Sequence, residues 1–466
     1  PGTALHEGMT WGWESFPDYL DVLDKGAWSI DIGTQVAHGA IRAYVMGERG
    51  AKNEPATPED NTEMARLVQE AVEAGALGFS TSRVLSHRAM DGEPVPGTFA
   101  AEDELFGLGH AVKAGGGAVF ELAPAGADGQ DAVRGRTEVE WMTRLSKELD
   151  LPVSFALLEL RSDPDLWREL MEESMRANEG GARLVPQIAV RPFGMLIGFG
   201  SNHPFAKKPT FKRLNDSLPY AELIAELGKP EVREAILSED DLPLDPTIQF
   251  DTLPGSLQHM ASMLYFLGDD APDYEPTPDQ TLEARAAAAG VEPMALAYDT
   301  MLERDGQTFL MAPFFGYAHG DHEAIREMML HPAGVSGLSD GGAHCRMICD
   351  ASYPTFLLTH WARDRSRGEG LPLEHVVKMQ TSTTASLYGL TDRGVIAEGK
   401  KADLNVIDHA NLTLHHPRPA FDLPAGGRRL LQDVSGYEAT IVNGVVTRRF
   451  GEDTGARPGR LVRGAR

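Results

Sequence analysis

The feature that most constrains this chain is an alternation of short apolar runs with helical stretches along its first 190 residues. Residues 29–37, 77–82, 117–122, 152–158 and 183–190 read as strands. Residues 58–74, 102–114, 139–149 and 164–177 read as helices, with Glu59 and Asp60 in the first turn of 58–74, where carboxylates suit the helix dipole. Strands spaced by helices predict βα units and a parallel sheet. The right-handed crossover then leaves a closed barrel or an open doubly wound sheet. No G-x-G-x-x-G opens a helix, and Gly115-Gly116-Gly117 precedes a strand, so the expectation is a TIM-like (β/α)8 barrel.

The rhythm breaks between 198 and 307, a stretch rich in Pro, Asp and Glu that reads as a helical insertion carrying a late barrel helix and a cap. Strands return at 309–311 and 335–338, followed by helical patterns at 354–365, 373–380 and 383–388. After Asp392 the composition changes. Residues 402–408 read as a strand, and 437–442 with 445–449 read as a hairpin around Asn443-Gly444, the strongest short hairpin signal. The predicted organisation is a barrel lacking its first strands over 1–391, with its insertion at about 198–307, and a small β-sandwich arm over 392–466.

The totals exclude some partners. A formal net charge of −26 repels phosphate backbones, so nucleic acid is a poor partner. The only cysteines, Cys345 and Cys349, rule out a disulfide framework and fit a reducing cytosol. No apolar run approaches the ~20 residues that span a bilayer. The expectation is a cytoplasmic protein acting on a small molecule, with no nucleic-acid or membrane partner, and compatible with a homo-oligomer. The chain opens Pro1-Gly2-Thr3-Ala4, with neither an initiator Met nor a signal-peptide pattern, which fits either a cut protein or a start inside a longer sequence.

The tail holds an ordered set: Gly394-Val395-Ile396, then Gly399-Lys400-Lys401-Ala402-Asp403-Leu404, then Val442-Asn443-Gly444. It resembles the C-terminal arm of amidohydrolase-superfamily enzymes, a small β-sandwich beside a metal-dependent TIM barrel. Upstream, Gly316-Tyr317-Ala318-His319-Gly320-Asp321-His322 and Leu338-Ser339-Asp340-Gly341-Gly342 resemble the end of a D-aminoacylase barrel, as do Ala37-His38-Gly39 and Gly75-Ala76-Leu77-Gly78-Phe79-Ser80-Thr81 near the start. The resemblance implies hydrolysis of a linear amide, most like deacylation of an N-acyl-D-amino acid, with a divalent metal, zinc, activating water.

Asp340 also has a physical case. It follows an apolar run directly, at the C-terminal mouth of a strand, where barrel enzymes place catalytic groups. A carboxylate there can take a proton from water and return it to a leaving nitrogen, or serve as a metal ligand. The competing reading is a plain Ser-Asp-Gly-Gly turn. His344 either orients Asp340, touches substrate, or is an ordinary loop histidine. Gln187 and Arg191 flank a strand end. The planar fork of Arg191 suits a substrate carboxylate or a surface ion pair.

The chain departs from the family pattern. The His-x-His and Cys that would end early strands are absent from it. At the two middle strands, where histidines are expected, stand Glu121 and Leu157 or Leu158. Glu121 is either a metal ligand or a hydrogen-bond acceptor; leucine is neither. His38 reads as a packing residue. His319 and His322 read as loop and cap, beside an N-capping Asp321. Two other readings compete: a hydrolase of cyclic amides or esters on the same scaffold, and a catalytically silent binding protein.

Overall fold

The structure, a computed structural model, describes residues 7–89, 91–130, 132–245 and 251–464. Thr57 starts the helix Pro58–Ala74 with a capping box: its hydroxyl accepts from the Asp60 amide, and the Asp60 carboxylate accepts from the Thr57 amide. Its buried stripe of Met64, Val68, Ala71 and Val72 faces the sheet. Helix Glu102–Ala114 carries three acidic residues in its first turn and buries Leu105, Leu108 and Val112 in the same way. Both helices have the bounds that the sequence pattern predicts.

The strands, in chain order, are β1 (Val36–Ala37), β2 (Gly78–Ser82), β3 (Val119–Ala123), β4 (Val153–Leu157), β5 (Leu184–Ala189), β6 (Phe193–Ile197), β7 (Tyr265–Phe266), β8 (Leu310–Phe315) and β9 (Val335–Gly337). Strands β1 to β5 and then β9 form one parallel sheet in that order. This is the α/β architecture expected, although among the described residues β1 and β9 remain unpaired edges and no closed eight-stranded barrel forms. Register and the two-residue period sort the side chains. Phe79, Phe120 and Phe155 point one way and are buried under the helices, at roughly 1.5–3 kcal/mol each. Ser80, Glu121 and Ser154 align on the other face, with Gln187 one step further along.

Two expected strands differ. Residues 29–35 do not continue β1; Trp28 and Ile32 instead bridge Gly459 and Leu461 near the C-terminus. Asp31 fixes that junction. It accepts from the Arg460 amide at 2.9 Å, Asn443 at 3.0 Å, Lys401 at 2.9 Å and Arg393 at 3.0 Å. The apolar run at 309–311 does become a strand, β8, but it pairs antiparallel with β6 and β7 in a separate sheet. Gly194 permits that pairing, since a Cβ there would sit 2.5 Å from the Ala312 carbonyl oxygen.

Between β6 and β8 the chain is mostly helical, and Phe199, Phe205, Phe211, Leu223 and Tyr298 form a hydrophobic cluster distinct from the one under the parallel sheet. The tail contributes β10 (Leu404–Ile407), β11 (Thr413–Leu423), β12 (Gly427–Ser435), β13 (Tyr437–Val442), β14 (Val445–Arg449) and β15 (Glu452–Asp453). Asn443 and Gly444, at φ 51° and 77°, make the β13–β14 turn. The long β11–β12 hairpin lies against the insertion and the late loops: Arg428 donates to the Phe199 and Ser201 carbonyls, and the Leu430 amide donates to the Cys345 carbonyl at 2.6 Å.

Candidate active site

Glu121 is the centre of the polar face of the parallel sheet. One of its oxygens accepts from Gln187 Nε2 at 2.9 Å; the other accepts from Tyr388 OH at 2.8 Å and from Gln35 Nε2. Gln187 also donates to Ser154 Oγ at 2.9 Å. Burial, then the neighbouring Glu121 charge, pushes the Tyr388 hydroxyl far above its ordinary range, so it stays a donor. Gly337 makes room for this arrangement, because a Cβ there would stand 2.9 Å from Gln187 Oε1.

Asp340 follows β9 by three residues, at the C-terminal end of the sheet. Its backbone is left-handed (φ 36°), as are those of Leu338 (φ 61°) and His344 (φ 50°). Three such non-glycine residues in one short run store strain, which persists only where the surroundings impose it. The surroundings do so at both ends. On one side β9 is locked to β5. On the other, the Cys345, Arg346, Met347 and Cys349 carbonyls accept from Leu430, Ser201, Leu196 and Arg191. Asp340 and exposed His344 both act electrostatically on His87, whose pKa burial lowers and whose Nδ1 lies 2.6 Å from Ser82 Oγ.

Arg191 lies elsewhere than the sequence suggests. It is 1% exposed. It donates to Asp350 at 3.0 Å and to the Cys349 carbonyl at 2.9 Å, and its guanidinium carbon stands 3.9 Å from the Tyr274 ring centroid. Burial, and not a full set of partners, keeps it from solvent: only its Nη2 carries these bonds. It therefore anchors the strained loop from inside.

His38 is buried between Thr81 Oγ1 and Glu104 Oε1, at 2.8 Å each, as a packing residue would be. His319 and His322 part company: His319 faces Glu159 at 3.8 Å, while His322 turns inward. Asp321 accepts from the Glu323 amide at 2.9 Å, but the N-cap of helix Glu323–Leu330 is His322, one residue later than the sequence suggests. Leu157 is buried among the helices, and Leu158 follows β4. Two features have no sequence signal. Glu159, two residues past β4, is buried, accepts from the Ala318 amide at 3.0 Å, and has its pKa raised by burial. Glu275, His322 and His360, scattered along the chain, come together in space.

The family model described as the amidohydrolase family matches residues 4–448. The chain belongs to this family. A D-aminoacylase of Alcaligenes xylosoxydans xylosoxydans is 24% identical over 474 aligned positions, covering 99% of this chain and 76% of that protein. The structure is similar to that of a D-aminoacylase studied for its binuclear metal centre (TM-score 0.57, 20% identity, 96% of this chain and 75% of the other). It is equally similar to an N-acyl-D-glutamate deacylase of Bordetella bronchiseptica complexed with zinc and a phosphonate inhibitor (TM-score 0.57, 19% identity, 96% and 75%). The fold is thus that of the TIM-barrel amidohydrolases.

One of these similar structures holds zinc. Neither Glu121 nor Asp340 belongs to a group of three His, Cys, Asp or Glu side chains able to share an ion among the described residues. Glu121 already has both oxygens occupied by neutral donors, and the neighbouring strand end offers leucine. By themselves these described residues do not fit the group at the mouth of the sheet.

Proposed function

We propose that this amidohydrolase cleaves the linear amide bond of N-acyl-D-amino acids, with Asp340 as the proton-transfer group. The observation that carries this reading is the strained run Leu338 to His344, pinned at both ends, which presents a carboxylate at the C-terminal mouth of a parallel sheet. Asp340 takes a proton from the attacking water as its oxygen bonds to the acyl carbon. It then returns that proton to the leaving nitrogen as the C–N bond breaks, giving a carboxylate and a free amine. His344, exposed on the same loop, and Gln187, on the polar face, are the substrate contacts in this reading. Arg191 positions the loop.

A relative was solved with zinc, and a divalent metal, zinc in particular, is the inferred cofactor, for which Glu121 and Asp340 would supply only part of the ligand set. Glu121 serves as the acceptor that fixes Gln187 and Tyr388. The chain is taken as a barrel portion over 1–391 with its insertion at about 198–307, and an arm over 392–466. Among the described residues no helix is long and apolar enough to cross a membrane. Cys345 and Cys349 are both free thiols, which supports a cytoplasmic location.

The occupied Glu121 carboxylate favours one other reading, a catalytically silent member of the family. Free-amine release from a panel of N-acetyl-D- and N-acetyl-L-amino acids, with and without added zinc, separates the two. Activity on D substrates supports the deacylase; none on any member, from folded protein, supports the silent protein.

A further inference from the structure

Three side chains from three separate segments, none of them in the Asp340 loop, converge in space. Glu275 lies in the insertion, His322 at the start of helix Glu323–Leu330, and His360 in the π-helical segment Leu357–Asp364. Single π-turns inside helices recur at functional sites. His322 Nδ1 lies 3.3 Å from His360 Nε2. Glu275 Oε2 lies 3.3 Å from His360 Nε2 and 3.6 Å from His322 Nδ1. Ligand atoms bound at zinc distances in a tetrahedral site stand roughly 3.3–3.6 Å from one another. The triangle therefore has the size of one face of such a site.

The hydrogen bonds around it fix which atoms face inward. His322 Nε2 lies 2.9 Å from the Tyr274 carbonyl oxygen, which can only accept, so the proton is on Nε2 and the Nδ1 lone pair faces the triangle. A ligating histidine ordinarily donates its other N–H to a carbonyl or carboxylate in this way. Arg365 holds the Glu275 carboxylate by two bonds, Nε to Oε2 at 3.0 Å and Nη2 to Oε1 at 2.9 Å. The Phe356 ring stacks on His360 at 4.6 Å. Without an ion, a single His360 proton must serve both Glu275 and His322 at 3.3 Å, longer than good hydrogen bonds.

We propose that Glu275, His322 and His360 bind one divalent transition-metal ion of the zinc class, which ties the insertion to the late helices. His360 is 16% exposed while the other two are at most 2%, so a fourth ligand, a water, enters from the His360 side. The role is structural: the site closes across three segments and is independent of Asp340 and of the hydrolase reading.

The test uses the purified full chain, stripped with a chelator and titrated with Co2+ and then Zn2+. The expected result is a visible ligand-field band of tetrahedral strength with Co2+, and a rise in melting temperature on adding Zn2+. By elemental analysis after dialysis, His360→Ala and Glu275→Gln should retain one equivalent of zinc fewer than the wild type, while Asp340→Asn retains as much as the wild type. Equal zinc in His360→Ala and wild type overturns the proposal. So does a wild type that shows no cobalt band and no thermal shift, a result that needs no variant to fold.

Discussion

Gln187 and Glu121, 66 residues apart, meet at 2.9 Å across the polar face of the parallel sheet. Their contact crosses β4, where Ser154 Oγ accepts from the same Gln187 nitrogen. A carboxylate with donors on both oxygens, one of them from as far away as Tyr388, organises the interior of the barrel portion.

Glu121→Gln removes the charge and sets a donor against donors. It should cost about 1–3 kcal/mol, the penalty for buried groups left without partners. Tyr388→Phe deletes the bond that Tyr388 donates to the Glu121 carboxylate and the one that it accepts from Gln35, and should cost about 1.5–3 kcal/mol. Urea denaturation monitored by fluorescence checks both. Should Glu121→Gln prove neutral, Glu121 does not hold this face together.

Arg191 is predicted to act on stability rather than on substrate binding. Asp350→Ala leaves its guanidinium buried without a counter-charge and should cost about 3–5 kcal/mol. The double replacement Arg191→Met with Asp350→Leu removes both charges and should recover much of that loss. Denaturation midpoints of the three proteins decide this. A KM for N-acyl amino acids that rises steeply in the folded double variant would instead place Arg191 on the substrate.

Acid should weaken the fold in two successive windows. His203 is buried beside Phe199 and Phe211, and burial lowers its pKa from 6.5 to about 3. The unfolded chain therefore binds the extra proton, and stability falls with pH. Its contribution is intact above pH 6.5 and is lost towards about pH 3, at about 1.4 kcal/mol per pH unit. Asp31 is shifted in the same direction, from a different cause. Burial works against it, but the bonds from Lys401, the Arg460 amide and Asn443 hold its carboxyl at about 2 rather than 3.8. Its stabilisation is present above pH 3.8 and is lost as pH falls through about 2. His203→Phe should flatten the stability profile between pH 6 and 4. An unchanged slope in that range would remove His203 from the account.

Much of this fold is written locally in the chain. The Thr57 and Asp60 capping box, the acidic first turn at Glu102 and the Asn443-Gly444 turn all act within a few residues, and the elements they define form as predicted. Pairing direction is not local. Leu310 to Phe315 is a sound strand by composition, yet nothing in it specifies the antiparallel partner β6. The β11–β12 hairpin is hidden because Pro417 and Pro419 make a strand look unfavourable. Site residues follow the same division. The position of Asp340 just past the end of β9 is legible from the strand-like run before it. The burial of Arg191 against Asp350 depends on packing across 159 residues. The Glu275, His322 and His360 convergence depends on where the insertion returns, which no spacing encodes.

The measurement that bears most directly on the central claim is amine release from an N-acetyl-D-amino acid by wild type and Asp340→Asn, at pH 7 with zinc added. The account predicts turnover by the wild type and a loss of roughly 10²–10⁴-fold in kcat for the variant, the usual weight of a proton-transfer group, with its folded structure unchanged. Equal turnover by both proteins would contradict it.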